Sequence, residues 1–126
     1  MKSGLLALTA FVAMTSIAMT SAATADCQIV AGRFNLSQNE SVTTTGVSTK
    51  GAACGMKFTS FGMSRFDSVT VAKRPSHGAL REVGGLSYLY KPATGFKGID
   101  AYSLRLCGRN VVGPGCATIT YNITVQ

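Results

Sequence analysis

The sequence has one histidine, five acidic residues and no Cys-x-x-Cys pair among its four cysteines. A zinc centre needs several nitrogen or sulfur ligands in close spacing, and His77 is the only imidazole. Calcium needs roughly six to eight oxygen ligands, whereas Asp67 and Asp100 stand alone in the sequence. We therefore expect neither a metal site nor a cofactor.

A paired catalytic acid and base is also missing. Asp100 lies at the start of a predicted strand, where its carboxylate can accept backbone N–H bonds from the preceding turn. His77 lies between Pro75 and Gly78, a turn position in which an imidazole packs or hydrogen-bonds locally. General acid–base catalysis needs a second titratable group nearby, and none is obvious. We expect no enzymatic activity.

Long apolar runs are absent after the first 25 residues. Residues 5–19 are apolar or small and uncharged, Lys2 precedes them, and Ala23-Thr24-Ala25 follows. This order is typical of a cleaved signal peptide, and the run is shorter than the roughly 20 residues that span a bilayer. We predict a signal peptide over residues 1–25, then one domain over residues 26–126 without a membrane span. Export implies a periplasmic or extracellular location.

Positive charge predominates, with 12 Lys and Arg against five Asp and Glu. Such a surplus favours anionic partners, including lipid headgroups and acidic polysaccharide, and it also serves solubility. Nucleic-acid binding would need aromatic side chains among the cations on one sheet face, but the tyrosines fall on predicted core faces, so we expect no nucleic-acid partner. Five cations flank two predicted turns and suggest a basic face: Lys73, Arg74, Arg81, Lys91 and Lys97.

Alternation of apolar and polar residues predicts strands along most of the chain, while no window has a helical period. The predicted strands are 26–34 (broken by Gly32), 41–49 (with Gly46 as a bulge or bend), 54–60, 66–73, 79–83, 86–90 and 116–125, with a polar loop over 35–41. Gly84 and Gly85 predict a hairpin turn. Short strands with frequent turn signals indicate an all-β antiparallel sandwich of about seven strands.

Residues 86–107 form the centre of this pattern. Tyr88 and Tyr90 alternate in its first arm, and Tyr102 and Leu104 alternate in its second. Between the arms lie Pro92, Gly95 and Gly98, which do not fit inside a regular strand pair. We predict that they form a structural turn together with Asp100.

The central motifs resemble those of bacterial immunoglobulin-like and cadherin-like domains. The resemblance rests on the Pro-x-His-Gly turn at 75–78, the Tyr-x-Pro strand end at 90–92, and the Gly-Phe-x-Gly-x-Asp-x-Tyr connection at 95–102. It implies an immunoglobulin-like sandwich acting as a spacer, adhesin or accessory module. The buried tryptophan of antibody domains is absent, so the antibody disulfide cannot be transferred.

An even number of cysteines in an exported chain predicts disulfides. Cys107 and Cys116 both fall on outward-facing positions and flank a hairpin loop, whereas Cys27 and Cys54 fall on apolar faces. This parity favours Cys107 with Cys116 and Cys27 with Cys54. The alternative is a cross-sheet Cys54–Cys107 bond, which leaves Cys27 with Cys116.

The loop between Cys107 and Cys116 is the best candidate for binding, because loops on a rigid sandwich commonly bind and a disulfide at the base lowers the ordering cost. It presents Arg109, Asn110, Val111 and Val112. We expect a non-catalytic exported binding or adhesion module that contacts an anionic envelope component, a polysaccharide or an unknown protein. The alternatives are an accessory subunit docking through a sheet edge, or less readily a small secreted enzyme or inhibitor.

Overall fold

The computed structural model describes residues 25–60 and 62–126, which form two β-sheets packed face to face. The predicted signal peptide lies outside the described residues, apart from Ala25. Within the described ranges no helix is long and apolar enough to cross a membrane. The strands are β1 (Asp26–Ile29), β2 (Ser41–Thr49), β3 (Cys54–Lys57), β4 (Arg65–Lys73), β5 (Gly78–Gly84), β6 (Ser87–Pro92), β7 (Gly98–Arg109) and β8 (Pro114–Val125), with one 3₁₀ helix (Leu36–Gln38).

One sheet has five strands in the order β1-β2-β8-β7-β4, and the other has three in the order β3-β6-β5. The predicted all-β sandwich is confirmed, with eight strands. Neighbouring strands run antiparallel except β2 and β8, which pair in parallel from Ser41 opposite Thr118 to Ser48 opposite Val125. Alternation alone does not reveal strand direction, since it is the same in both kinds of pairing.

The core lies between the sheets and is built from the predicted alternating positions. The two arms of the central stretch lie in opposite sheets, β6 and β7, and their buried residues face each other. The Tyr90 ring stacks on Tyr102 with centroids 4.9 Å apart, and Tyr102 stacks on Tyr121 at 5.1 Å. Pro92 ends β6 and Gly98 begins β7, so the predicted turn carries the chain from one sheet to the other.

Four local predictions need correction. The predicted strand 54–60 ends at Lys57. The first strand ends at Ile29, well before residue 34. The polar loop contains the 3₁₀ helix, whose Leu36 is buried in the core. Gly46 pairs in register with β1 and β8 and forms no bulge; an added Cβ there would lie 2.9 Å from both the Gln28 carbonyl oxygen and Ile123 Cδ1. Gly46 is thus required for close packing.

The disulfide pairing favoured by face parity is confirmed. Cys27 is bonded to Cys54, which joins β1 and β3 at neighbouring edges of the two sheets. Cys107 is bonded to Cys116, directly opposite it in the β7–β8 hairpin. The cross-sheet alternative is wrong because β3 lies beside β1 at one edge of the sandwich, whereas β7 lies inside the five-stranded sheet, between β8 and β4.

Candidate binding surfaces

Asp100 is buried and holds the turn before β5 against the start of β7. Its two carboxylate oxygens accept hydrogen bonds from the backbone N–H groups of Ser76 at 3.0 Å and His77 at 3.1 Å, and from the Tyr90 hydroxyl at 2.7 Å. It also accepts from the Ala101 N–H. The carboxylate thus accepts backbone N–H bonds, as predicted, but the predicted source is wrong, because the donors belong to the distant Ser76–His77 turn and not to the preceding turn.

His77 and the turn residues around it have packing roles. The imidazole lies flat on the Phe96 ring, with centroids 4.3 Å apart and planes 4° from parallel. The His77 carbonyl accepts a hydrogen bond from the Ala93 N–H at 2.8 Å. Gly95 and Gly98, with φ of 80° and 137°, lie on either side of Phe96 and allow the chain to turn there.

The tip of the β7–β8 hairpin is held from below by Asn110. Its Nδ2 donates to Asn35 Oδ1 at 2.7 Å, and its Oδ1 accepts from the Val112 N–H at 2.9 Å and the Gly113 N–H at 3.2 Å. Arg109 is exposed, and Val111 and Val112 are 68% and 79% exposed. Of the predicted loop residues, Asn110 thus fixes the loop while the two valines form an apolar tip.

The outward face of the three-stranded sheet carries cations and no acidic residue among its described positions. Register places Arg81 opposite Leu89, and Lys91 opposite Ala79. Lys57, on β3, lies opposite Ser87 on the same face. The one acidic residue of these strands, Glu82, pairs with the core-facing Tyr88 and so belongs to the other side.

A depression of about 480 Å³ continues this cationic face at the end of the sandwich. Lys50, Lys91 and Lys97 line it together with the small or uncharged residues 92–95. Lys91 Nζ donates to the Gly51 carbonyl oxygen, which fixes the side chain at the junction of the face and the depression. We call the face and the depression together the basic surface: Lys50, Lys57, Arg81, Lys91 and Lys97.

The basic surface includes three of the five cations that the sequence pointed to. Lys73 ends β4 and Arg74 follows it, so both belong to the connection between the sheets. Lys50 and Lys57 were missed because they lie far from the two predicted turns in sequence. Alternation along β3 predicts that Lys57 points outward, and Lys50 lies in the turn before that strand. The sequence does not show that β3 pairs with β6, so it does not show that these cations share a face with Lys91.

The stacked tyrosines are held neutral by burial. Loss of hydration raises the pKa of Tyr121 to about 12, and burial together with the neighbouring Tyr121, Tyr90 and Asp100 raises the pKa of Tyr102 further. Burial, followed by the hydrogen bond to Asp100, also raises the pKa of Tyr90. These phenols serve the core, since an ionised phenolate is poorly accommodated there.

Comparison with known proteins leaves the surfaces as the main guide to function. No protein-family model matches the chain, and no curated protein is detectably similar to it. In residues 25–60 and 62–126 there is no group of three or more His, Cys, Asp or Glu side chains placed to hold a metal ion.

Proposed function

We propose that the chain is a non-catalytic, exported binding module that contacts anionic material of the cell envelope through its basic surface. The observation that carries this proposal is the outward face of the three-stranded sheet, where the charged residues among the described positions are all cations: Lys57, Arg81 and Lys91. The predicted signal peptide supports export, and the two disulfides are compatible with an oxidising compartment. The resemblance to bacterial immunoglobulin-like domains belongs to the same proposal, and the two-sheet architecture is compatible with it.

The spacing of these cations suits a polyanion. Arg81 and Lys91 are diagonal neighbours on adjacent strands, a relation that separates them by roughly 7–8 Å. That distance is comparable to the Debye length of about 8 Å at physiological ionic strength, so their fields add at the surface. A single exposed ion pair contributes little, but several cations on one rigid face act together on a charged polymer or membrane.

Co-sedimentation at low and high salt tests the proposal. The purified, oxidised protein is mixed with neutral vesicles, with vesicles containing anionic lipid, and separately with an insoluble acidic polysaccharide. We expect binding to at least one anionic material that falls steeply with salt, and no binding to neutral vesicles. The two anionic arms identify the source of the negative charge. Absence of binding to both at low salt would contradict the proposal.

The hairpin tip supports a second candidate function, that of an accessory subunit docking on a larger protein. Val111 and Val112 are exposed on a loop that Asn110 and the Cys107–Cys116 bond hold rigid. A stoichiometric partner should co-purify with the native protein and with Val83→Ser, which alters an exposed valine on β5, but not with the double variant Val111→Ser, Val112→Ser.

A further inference from the structure

One side of the sandwich is left open because its two edge strands end early. β1 ends at Ile29, opposite Gly46, and β3 ends at Lys57, whereas on that side β2 extends back to Ser41 and β8 to Pro114. The Cys27–Cys54 bond closes one end of this side. Beyond it, an opening of about 370 Å³ lies between residues 29–34 and residues 55–59.

The walls of this opening are mostly apolar. Three half-buried phenylalanines line it, and Phe66 lies 6.2 Å from Phe34 and 6.4 Å from Phe58 between ring centroids. The buried side chains of Ile119 and Tyr121 face it from β8. Both the size and the lining are typical of sites that bind small molecules.

The polar and charged groups at the opening indicate which class of ligand it can bind. The Thr44 hydroxyl donates to the Val30 carbonyl oxygen and so is already satisfied. Lys57 is the one charged residue among the described lining residues. The exposed Arg33 lies between Gly32 and Phe34, which both line the opening, so a second cation is close in sequence. An apolar cavity beside cations complements a molecule with an apolar body and a negative head.

We infer that this opening binds a small anionic amphiphile, with its apolar part against Phe34, Phe58 and Phe66 and its anionic group beside Lys57. Burial of the apolar part supplies the favourable free energy. The charge favours an anionic head over a neutral one, because Lys57 places a positive charge at the rim of a mostly apolar opening. This inference is independent of polymer binding and shares only Lys57 with the basic surface.

Decanoate and decanol, which differ in the charged group, are suitable probes. Each is titrated into the isotopically labelled, oxidised protein while backbone amide shifts are recorded by NMR. We expect saturable shifts confined to residues around the opening, with decanoate bound about two- to fivefold more tightly than decanol. Absence of saturable shifts for both probes, or shifts centred elsewhere, would overturn the inference.

Two substitutions locate the site. Lys57→Gln should remove the preference for decanoate, whereas Lys73→Gln, the same change at the exposed end of β4 and outside both the opening and the basic surface, should keep it. Gly32→Leu should weaken both probes, because a Cβ at Gly32 makes only an ordinary 3.8 Å contact with Thr44 Cβ and the longer side chain fills part of the cavity. An equal loss of preference in Lys57→Gln and Lys73→Gln would contradict the inferred site, and melting curves confirm that each variant is folded.

Discussion

At the scale of single residues, Asp100 links parts of the chain that are distant in sequence. Its carboxylate ties the Ser76–His77 turn to β7 and also accepts the Tyr90 hydroxyl of the opposite sheet. A charged acceptor with several donors is worth more than a neutral one, and removing it leaves the buried Tyr90 hydroxyl and two turn N–H groups without this acceptor. The residue is therefore expected to stabilise the fold and not to act chemically.

Asp100→Asn should lower the free energy of unfolding by about 2–4 kcal/mol, because one of the two acceptor oxygens becomes an amide that cannot accept. The melting temperature should fall by roughly 10 °C or more. Asp67→Asn is the matched control, since the Asp67 carboxylate is exposed and its ion pair with Arg65 is a long one, at 3.4 Å. Thermal melts followed by circular dichroism check this, and an unchanged midpoint in Asp100→Asn would contradict the assignment.

The tyrosine stack predicts a loss of stability at alkaline pH. The pKa of Tyr121 is raised to about 12 in the folded protein, above its value of about 10 in an unfolded chain. The folded state thus holds the proton more tightly, so this stabilisation is complete below pH 10 and is lost as pH rises towards 12. The decline approaches about 1.4 kcal/mol per pH unit for each such tyrosine.

Urea unfolding between pH 9 and pH 11.5 measures this decline, and absorbance of the phenolate reports the ionisation. In Tyr121→Phe one contributor is removed, so the fall in stability above pH 10 should be shallower than in the native protein. An identical pH dependence in the two proteins would show that Tyr121 does not titrate with the fold.

At the scale of elements, the 3₁₀ helix and the β7–β8 hairpin form one locked unit. Asn110 donates to Asn35, and the Cys116 N–H donates to Asn39 Oδ1 at 3.0 Å. Gly115 allows this approach, because a Cβ there would overlap the Leu36 carbonyl oxygen. The helix therefore packs directly on the hairpin backbone and carries Leu36 into the core.

Gly115→Ala should separate these two elements and lower the free energy of unfolding by about 1–3 kcal/mol, the usual range for overpacking. Gly55→Ala is the control, since a Cβ added there would have nothing within 4 Å and the change should shift stability by no more than about 0.5 kcal/mol. Midpoints of urea unfolding compare the two. Equal unfolding midpoints for Gly115→Ala and Gly55→Ala would contradict the prediction that the close contact between Gly115 and Leu36 stabilises the fold.

At the scale of the whole molecule, local pattern predicts more of the fold than of the surfaces. Alternation identified the strands, the core tyrosines and the outward parity of Cys107 and Cys116, because side-chain direction follows from position along a strand. It did not reveal the parallel β2–β8 pair or the burial of Leu36. The β2–β8 pairing and the burial of Leu36 both depend on contacts between parts of the chain that are distant in sequence, which local alternation does not predict.

The same limit applies to the candidate sites. The hairpin tip was predictable because its residues are adjacent in sequence, and the structure adds that Asn110 is committed to holding the loop. The basic surface required the pairing of β3 with β6, which brings Lys57 onto the face of Lys91. The apolar opening required the early ends of two strands in different sheets, and no local pattern predicts that.

The salt dependence of polyanion binding by two matched variants tests the central claim most directly. Arg81→Gln removes a cation from the basic surface, while Arg105→Gln removes an exposed cation from the outward face of the five-stranded sheet, opposite Thr118. Affinity for a soluble acidic polysaccharide is measured over a range of salt concentrations. We predict that Arg81→Gln binds about two- to fivefold more weakly at low salt with a shallower salt dependence, and that Arg105→Gln matches the native protein. Equal weakening in both variants would show that net charge, and not this face, governs binding.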